Sequence, residues 1–158
     1  MSTVELEVNN KQFLYPNAGE NPGWGEDATA WAEEVTEVLN SLAGPDDILQ
    51  TTVSINNNVG PTPSNVAGLL FNTATVRSAR IDYNIYRTLN AASELAETGI
   101  VQIVYKSIAG TWELSQEATG NAGVSFTITN AGQVQYTSTN MGVGTHVGTL
   151  NFESSVVL

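Results

Sequence analysis

The sequence predicts a mainly β protein: an antiparallel β-sandwich or jelly roll, preceded by one amphipathic helix and an extended N-terminal arm. Three observations predict it. After Pro45, apolar residues recur with a period of two, in short runs separated by Gly-rich turns. Before Pro45, one segment carries apolar residues at steps of three and four. Charged residues make up only 13% of the chain, and short polar side chains (Asn, Ser, Thr) stand in their place. Such surfaces suit strands better than helices.

Residues 1–25 read as an arm. Val4, Leu6 and Val8 alternate with Glu5, Glu7 and Asn9, which is a strand pattern. It is isolated ahead of a stretch rich in Pro, Gly and Asn. A lone strand needs a sheet edge to join. That edge belongs either to its own domain or to a neighbouring subunit; a disordered arm is the remaining alternative.

Residues 26–44 hold the helix. Ala28, Trp31, Ala32, Val35, Val38, Leu39 and Leu42 form one stripe over 26–43, with Glu33, Glu34 and Glu37 off it. Glu26 and Asp27 sit at the entry, where carboxylates suit the helix dipole. Gly44 and Pro45 stop it. The stripe packs either on the chain's own sheet or around a symmetry axis in an oligomer. In both arrangements Trp31 is the largest apolar surface the helix offers.

Residues 45–158 read as the sandwich. Leu49, Thr51, Val53 and Ile55 share one face. Ala79, Ile81, Tyr83 and Ile85 share another, with Arg80, Asp82, Asn84 and Tyr86 opposite. Further runs are Val101–Ile103–Tyr105, Trp112–Leu114, Val124–Phe126–Ile128, Val134–Tyr136 and Leu150–Phe152–Val156–Leu158. Residues 56–65 and 140–146 are built from loop-forming residues and read as flexible connections.

Composition removes most chemistry. The chain of 158 residues has no cysteine and one histidine, His146, so thiolate sites and multi-histidine metal sites are out. The net charge is −11, and ten of the 16 carboxylates lie in residues 1–59 against one lysine. Such a surface repels phosphates, so no nucleic-acid partner is expected. No apolar run approaches the ~20 residues of a spanning helix, so no membrane partner is expected either. No phosphate loop or nucleophile elbow occurs, and no enzyme activity or cofactor is expected. Asp46-Asp47 near Asn56–Asn58 matches no calcium loop and reads as turn capping. Tyr86, on the polar face with Asp82 and Asn84, could form an aromatic platform for a sugar ring. An ordinary cross-strand pair is the alternative.

Residues 14–158 also resemble a family of virion structural proteins of tailed bacteriophages. The resemblance rests on NPGWGEDATAWAEEVTEVLNSL, GPDDILQTT, SARIDYNIYRT, VYKSIAGTWELSQEATGNAGVSFTITNAGQVQYTST and the closing GTLNFES. It implies a non-enzymatic protein on the outer surface of a particle, with the major capsid protein or other virion proteins as partners. A capsid decoration or cement protein, homo-oligomeric and trimeric, is the first expectation. A trimeric fibre or receptor-binding protein directed at glycans is the alternative. Val4, Leu6, Val8, Trp24, Trp31, Val35 and Val38 are the expected interface residues. Asp82, Asn84 and Tyr86 are the expected glycan contacts.

Overall fold

The protein's computed structural model describes residues 4–8, 11–15, 29–36 and 46–157. The chain divides into two compact units, Met1–Pro45 and Asp46–Leu158. The architecture is mainly β, and every strand pairing is antiparallel.

In the first unit, β1 (Val4–Val8) pairs with β2 (Lys11–Tyr15), from Val4 opposite Tyr15 to Val8 opposite Lys11. The expected lone strand therefore has a partner in its own chain. Lys11-Gln12-Phe13-Leu14-Tyr15 supplies it. Helix α1 spans 29–36. The rest of the expected helix, with Trp24 and Val38, lies outside the described residues. Within α1 the buried residue is Glu34, at 4% exposure, while Trp31 is 37% exposed and Val35 half-buried. This departs from the expected stripe, which left Glu34 on the polar side. Position 34 follows Trp31 by three residues and so neighbours it on the same side of the helix, next to the expected stripe. Glu34 is not alone there; its side chain has an interaction partner.

The second unit is a sandwich of two sheets. The larger has the order β3-β10-β5-β6-β7 and the smaller β4-β9-β8. The strands are β3 (Ile48–Ser54), β4 (Ser64–Leu70), β5 (Ser78–Leu89), β6 (Ser93–Lys106) and β7 (Thr111–Gly120). They continue with β8 (Val124–Ile128), β9 (Gln133–Ser138) and β10 (His146–Val157). Period-two alternation places Ala79, Ile81, Tyr83, Ile85, Val101, Ile103, Leu150 and Phe152 on the inner face of the large sheet. Val66, Leu69, Val124, Phe126, Val134 and Tyr136 meet them from the small one. Burying each such side chain stabilises the fold by about 1.5–3 kcal/mol relative to exposure. Phe126 meets Tyr83 edge-on at 5.1 Å, and Trp112 packs on Tyr105 at 4.9 Å.

Two expectations fail for the same reason, an irregular register. Leu49 is 73% exposed and not on the face of Val53 and Ile55. Opposite it, the pairing jumps from Phe152–Thr51 to Ser154–Ile48, three residues against two. That bulge turns Ile48 toward the core and Leu49 away from it. Strand β4 begins at Ser64, inside a stretch expected to be a loop. Its pairing with β9 shifts between Asn65 and Leu70, and Gly68 adopts φ +79°. A strand interrupted by a bulge shows no clean alternation for a sequence to display.

Candidate functional site

Two groups of polar side chains stand out on the sandwich, one buried at its end and one exposed on a sheet face.

The buried group begins with Arg87. It follows Ile81, Tyr83 and Ile85 at steps of two, so β5 sends it inward, and it is fully buried. Its guanidinium donates to Ala122 O (2.6 Å), Thr139 O (2.7 Å), Asn57 Oδ1 (3.1 Å), Thr139 Oγ1 (3.4 Å) and His146 Nε2 (3.3 Å). All five N–H groups of an arginine are thereby used. Asn57 also accepts from Met141 N–H and donates to Gly142 O and Asn140 Oδ1. The segments around residues 57, 122 and 139–146 are thus tied to one side chain, and the two stretches expected as flexible loops are bonded to each other.

The charge is balanced through the backbone. Ala122 gives its carbonyl to Arg87 and its N–H to Glu97 Oε2 (2.8 Å). Glu97 is buried too, and its Oε1 accepts from Tyr83 Oη (2.6 Å) and Gln116 Nε2 (3.0 Å). Burial, and then the neighbouring carboxylate, push the Tyr83 hydroxyl above its usual range. Burial, and then the Arg87 charge, hold His146 below the ordinary imidazole value. His146 Nε2 accepts a hydrogen bond, so the ring is neutral with its proton on Nδ1. Gly99 makes the space: a Cβ there would lie 2.3 Å from Glu117 O and 2.8 Å from Tyr83 Oη. Among the described residues one buried side-chain polar atom lacks a partner, Trp112 Nε1, and it is not in this group.

The exposed group lies on the outer face of the large sheet. The register puts Thr52, Asn151, Asn84, Thr98 and Thr119 in one row across all five strands. Along it Thr52 Oγ1 donates to Asn151 Oδ1 (2.5 Å), and Asn151 Nδ2 donates to Asn84 Oδ1 (2.8 Å). The row beside it places Glu153 directly opposite Asp82. On the other side, Tyr86 lies between Thr149 and Ala96. Gln50, Asp82, Asn84, Thr98, Asn151 and Glu153 line a shallow depression of ≈ 220 Å³.

Several of these groups are committed. Arg80 holds Asp82 through two bonds of 2.8 Å, and this holds the Asp82 carboxyl below its usual range. Tyr86, 46% exposed, donates its hydroxyl to Glu94 Oε2 (2.8 Å), which fixes the ring. The structure therefore brings Asp82 and Asn84 into one depression and sets Tyr86 beside it, two residues further along β5. Val4, Leu6 and Val8 fall at alternate positions of β1.

A larger hollow of ≈ 530 Å³ lies on the same sheet beyond the Arg80–Asp82 pair, lined in part by Arg80, Gln102, Val104, Glu113 and Val157. Its charged groups are spent, Arg80 on Asp82 and Glu113 on Lys106. No group of three or more metal-ligating side chains occurs among the described residues.

Sequence reasoning found Asp82, Asn84 and Tyr86 but missed Arg87, Glu97, Asn151 and Glu153. A signal existed for the first two. Arg87 shares the parity of Ile81 and Ile85, and Glu97 that of Val101 and Ile103, so both were due inside. Asn151 and Glu153 needed the pairing of β10 with β5, which joins residues about 70 apart in the chain.

No family model matches the chain, and no curated protein matches it in sequence. Among solved structures, the tailspike protein of Acinetobacter phage vB_ApiP_P1 is similar at TM-score 0.46 and 13% identity. The match covers 68% of this chain, which spans only 22% of the length of that one.

Proposed function

We propose that this chain is a non-enzymatic structural protein of a tailed-bacteriophage particle, of the receptor-facing fibre type. The motifs of residues 14–158 support the virion setting. The observation that carries the finer reading is the outer face of the large sheet. It presents a continuous row of amides and hydroxyls beside carboxylates, with hydrogen-bonding capacity unspent.

The capsid-cement reading asks for something else. Protein–protein contacts that clamp capsomers have an apolar, well-packed centre with charges depleted from it. The middle of this sheet face carries Asp82, Glu153, Asn84 and Asn151. Its exposed apolar residues Val104, Val147 and Val157 stand toward the two ends, and Leu49 lies at the bulge of the edge strand β3, opposite Glu153. The chain enters the sandwich at Asp46, beside the end where β10 finishes, and Asp47 Oδ1 accepts from Val156 N–H (2.7 Å). The Arg87 end lies at the opposite end of β5 and β10.

Antibody labelling of purified particles tests the reading. Label at fibre or tail tips, at a few dozen copies or fewer per particle, is the expected result. Label spread over the head at hundreds of copies overturns it in favour of decoration.

A further inference from the structure

We infer that the depression between β3, β10, β5 and β6 is a binding site for a neutral sugar, with Tyr86 as a flanking platform. This deepens the receptor-facing reading and rests on it.

The first ground is what remains unused. The relay from Thr52 through Asn151 ends at Asn84, whose amide N–H groups have no acceptor. Asn151 has a second N–H to give. Neither Glu153 nor Gln50 makes a side-chain hydrogen bond, and both are exposed. The wall thus offers amide donors and a carboxylate acceptor a few ångströms apart. Sugar hydroxyls are donor and acceptor at once, so adjacent hydroxyls can bridge such a pair.

The second ground is rigidity. Arg80 fixes Asp82, Asn151 fixes Asn84, and Glu94 fixes Tyr86. Groups held before binding lose less entropy on binding. Two residues of strand separate Asn84 from Tyr86, roughly 7 Å, a span one pyranose ring can bridge.

The third ground is charge. Glu153 stands directly opposite Asp82, an arrangement that destabilises a sheet. With Arg80 answering Asp82, Glu153 leaves a net negative wall. Uronic and sialic acids are repelled there, and neutral hexoses and N-acetylhexosamines are not.

The test is an amide NMR titration of the full chain. The probes are neutral hexose, 6-deoxyhexose and N-acetylhexosamine oligosaccharides, with galacturonate and sialyllactose as acidic counterparts and calcium chloride alone as a separate arm. Shifts confined to residues 50–54, 82–86, 96–100 and 149–153 with a neutral sugar, and none with the acids, are the expected result. Glu153→Gln, Asn84→Ala and Tyr86→Ala should each weaken that sugar's Kd by about tenfold without abolishing cooperative thermal melting. No response to any neutral probe overturns the site. So do equal responses to acidic sugars, shifts elsewhere on the sandwich, or a response to calcium without one to sugar. The two readings fail separately. Sugar binding by a protein absent from particles sinks the virion reading alone. Fibre-tip labelling without sugar binding sinks the site alone.

Discussion

Two of the sandwich's polar side-chain groups are treated oppositely. Around Arg87 and Glu97 the groups are buried and their donors and acceptors are consumed. Around Glu153 and Asn84 the groups are exposed, and capacity is left over. Buried polar atoms without partners cost about 1–3 kcal/mol each, so a buried cluster survives only when complete. Exposed ones meet water, so they can be left incomplete for a ligand. Completeness therefore separates a structural polar cluster from a recognising one.

The contrast orders the expected effects of substitution. Arg87→Met should be the most damaging. It leaves the carbonyl of Ala122 without its donor and that of Thr139 with only the longer bond from Asn58 N–H (3.4 Å), and it loosens the loops they belong to. A loss of about 3–5 kcal/mol in urea unfolding is expected, and a loss under about 1 kcal/mol would show that water replaces the guanidinium. Arg87→Lys should recover little, because one ammonium cannot reach five acceptors.

Glu97→Gln comes next, at about 1–3 kcal/mol. One of its oxygens receives both Tyr83 and Gln116, and the other receives Ala122 N–H. An amide nitrogen in either place meets a donor.

His146 gives a smaller effect with a definite sign. Its folded-state pKa lies below the unfolded value, so the unfolded chain binds the proton more readily. Its contribution is fully present above the unfolded value of about 6.5. It is lost as pH falls from there toward the folded value. Protonation also removes the acceptor for Arg87 Nε. The urea midpoint should therefore decline between about pH 7 and pH 5, ahead of the carboxylates. His146→Gln should flatten this part of the profile; an unchanged slope would detach it from His146.

The smallest effect belongs to the outer face, and there the sign reverses. Glu153→Gln removes one of two carboxylates placed directly opposite each other. Stability should rise by about a few tenths of a kcal/mol. Asp82→Asn gives up only an exposed ion pair and should stay within about 0.5 kcal/mol of the parent.

Much of the sandwich was legible because period-two alternation survives wherever pairing is regular. Ala79 to Ile85 and Val101 to Tyr105 show it plainly. It failed where pairing is irregular. The bulge at Leu49 and the left-handed Gly68 in β4 each break the parity that pattern reading relies on. The hairpin partner of β1 was passed over because Phe13, Leu14 and Tyr15 run consecutively, so Lys11 to Tyr15 shows none of the alternation that marks Val4 to Val8. The site was half legible. Asp82, Asn84 and Tyr86 share one strand, and one strand's face can be read locally. Asn151 and Glu153 join them only through long-range pairing. Arg87 hid because a charged residue suggests solvent, although its parity pointed inward.

The most direct measurement sets one residue from each region side by side. Glu97→Gln and Glu153→Gln make the same chemical change, one in the complete cluster and one in the incomplete one. Urea midpoint and Kd for the best neutral oligosaccharide are measured on both. Glu97→Gln should lower the midpoint and leave sugar affinity intact, while Glu153→Gln should keep or raise the midpoint and weaken affinity about tenfold. A Glu153→Gln protein that unfolds more easily, or that binds the sugar as the parent does, would contradict it.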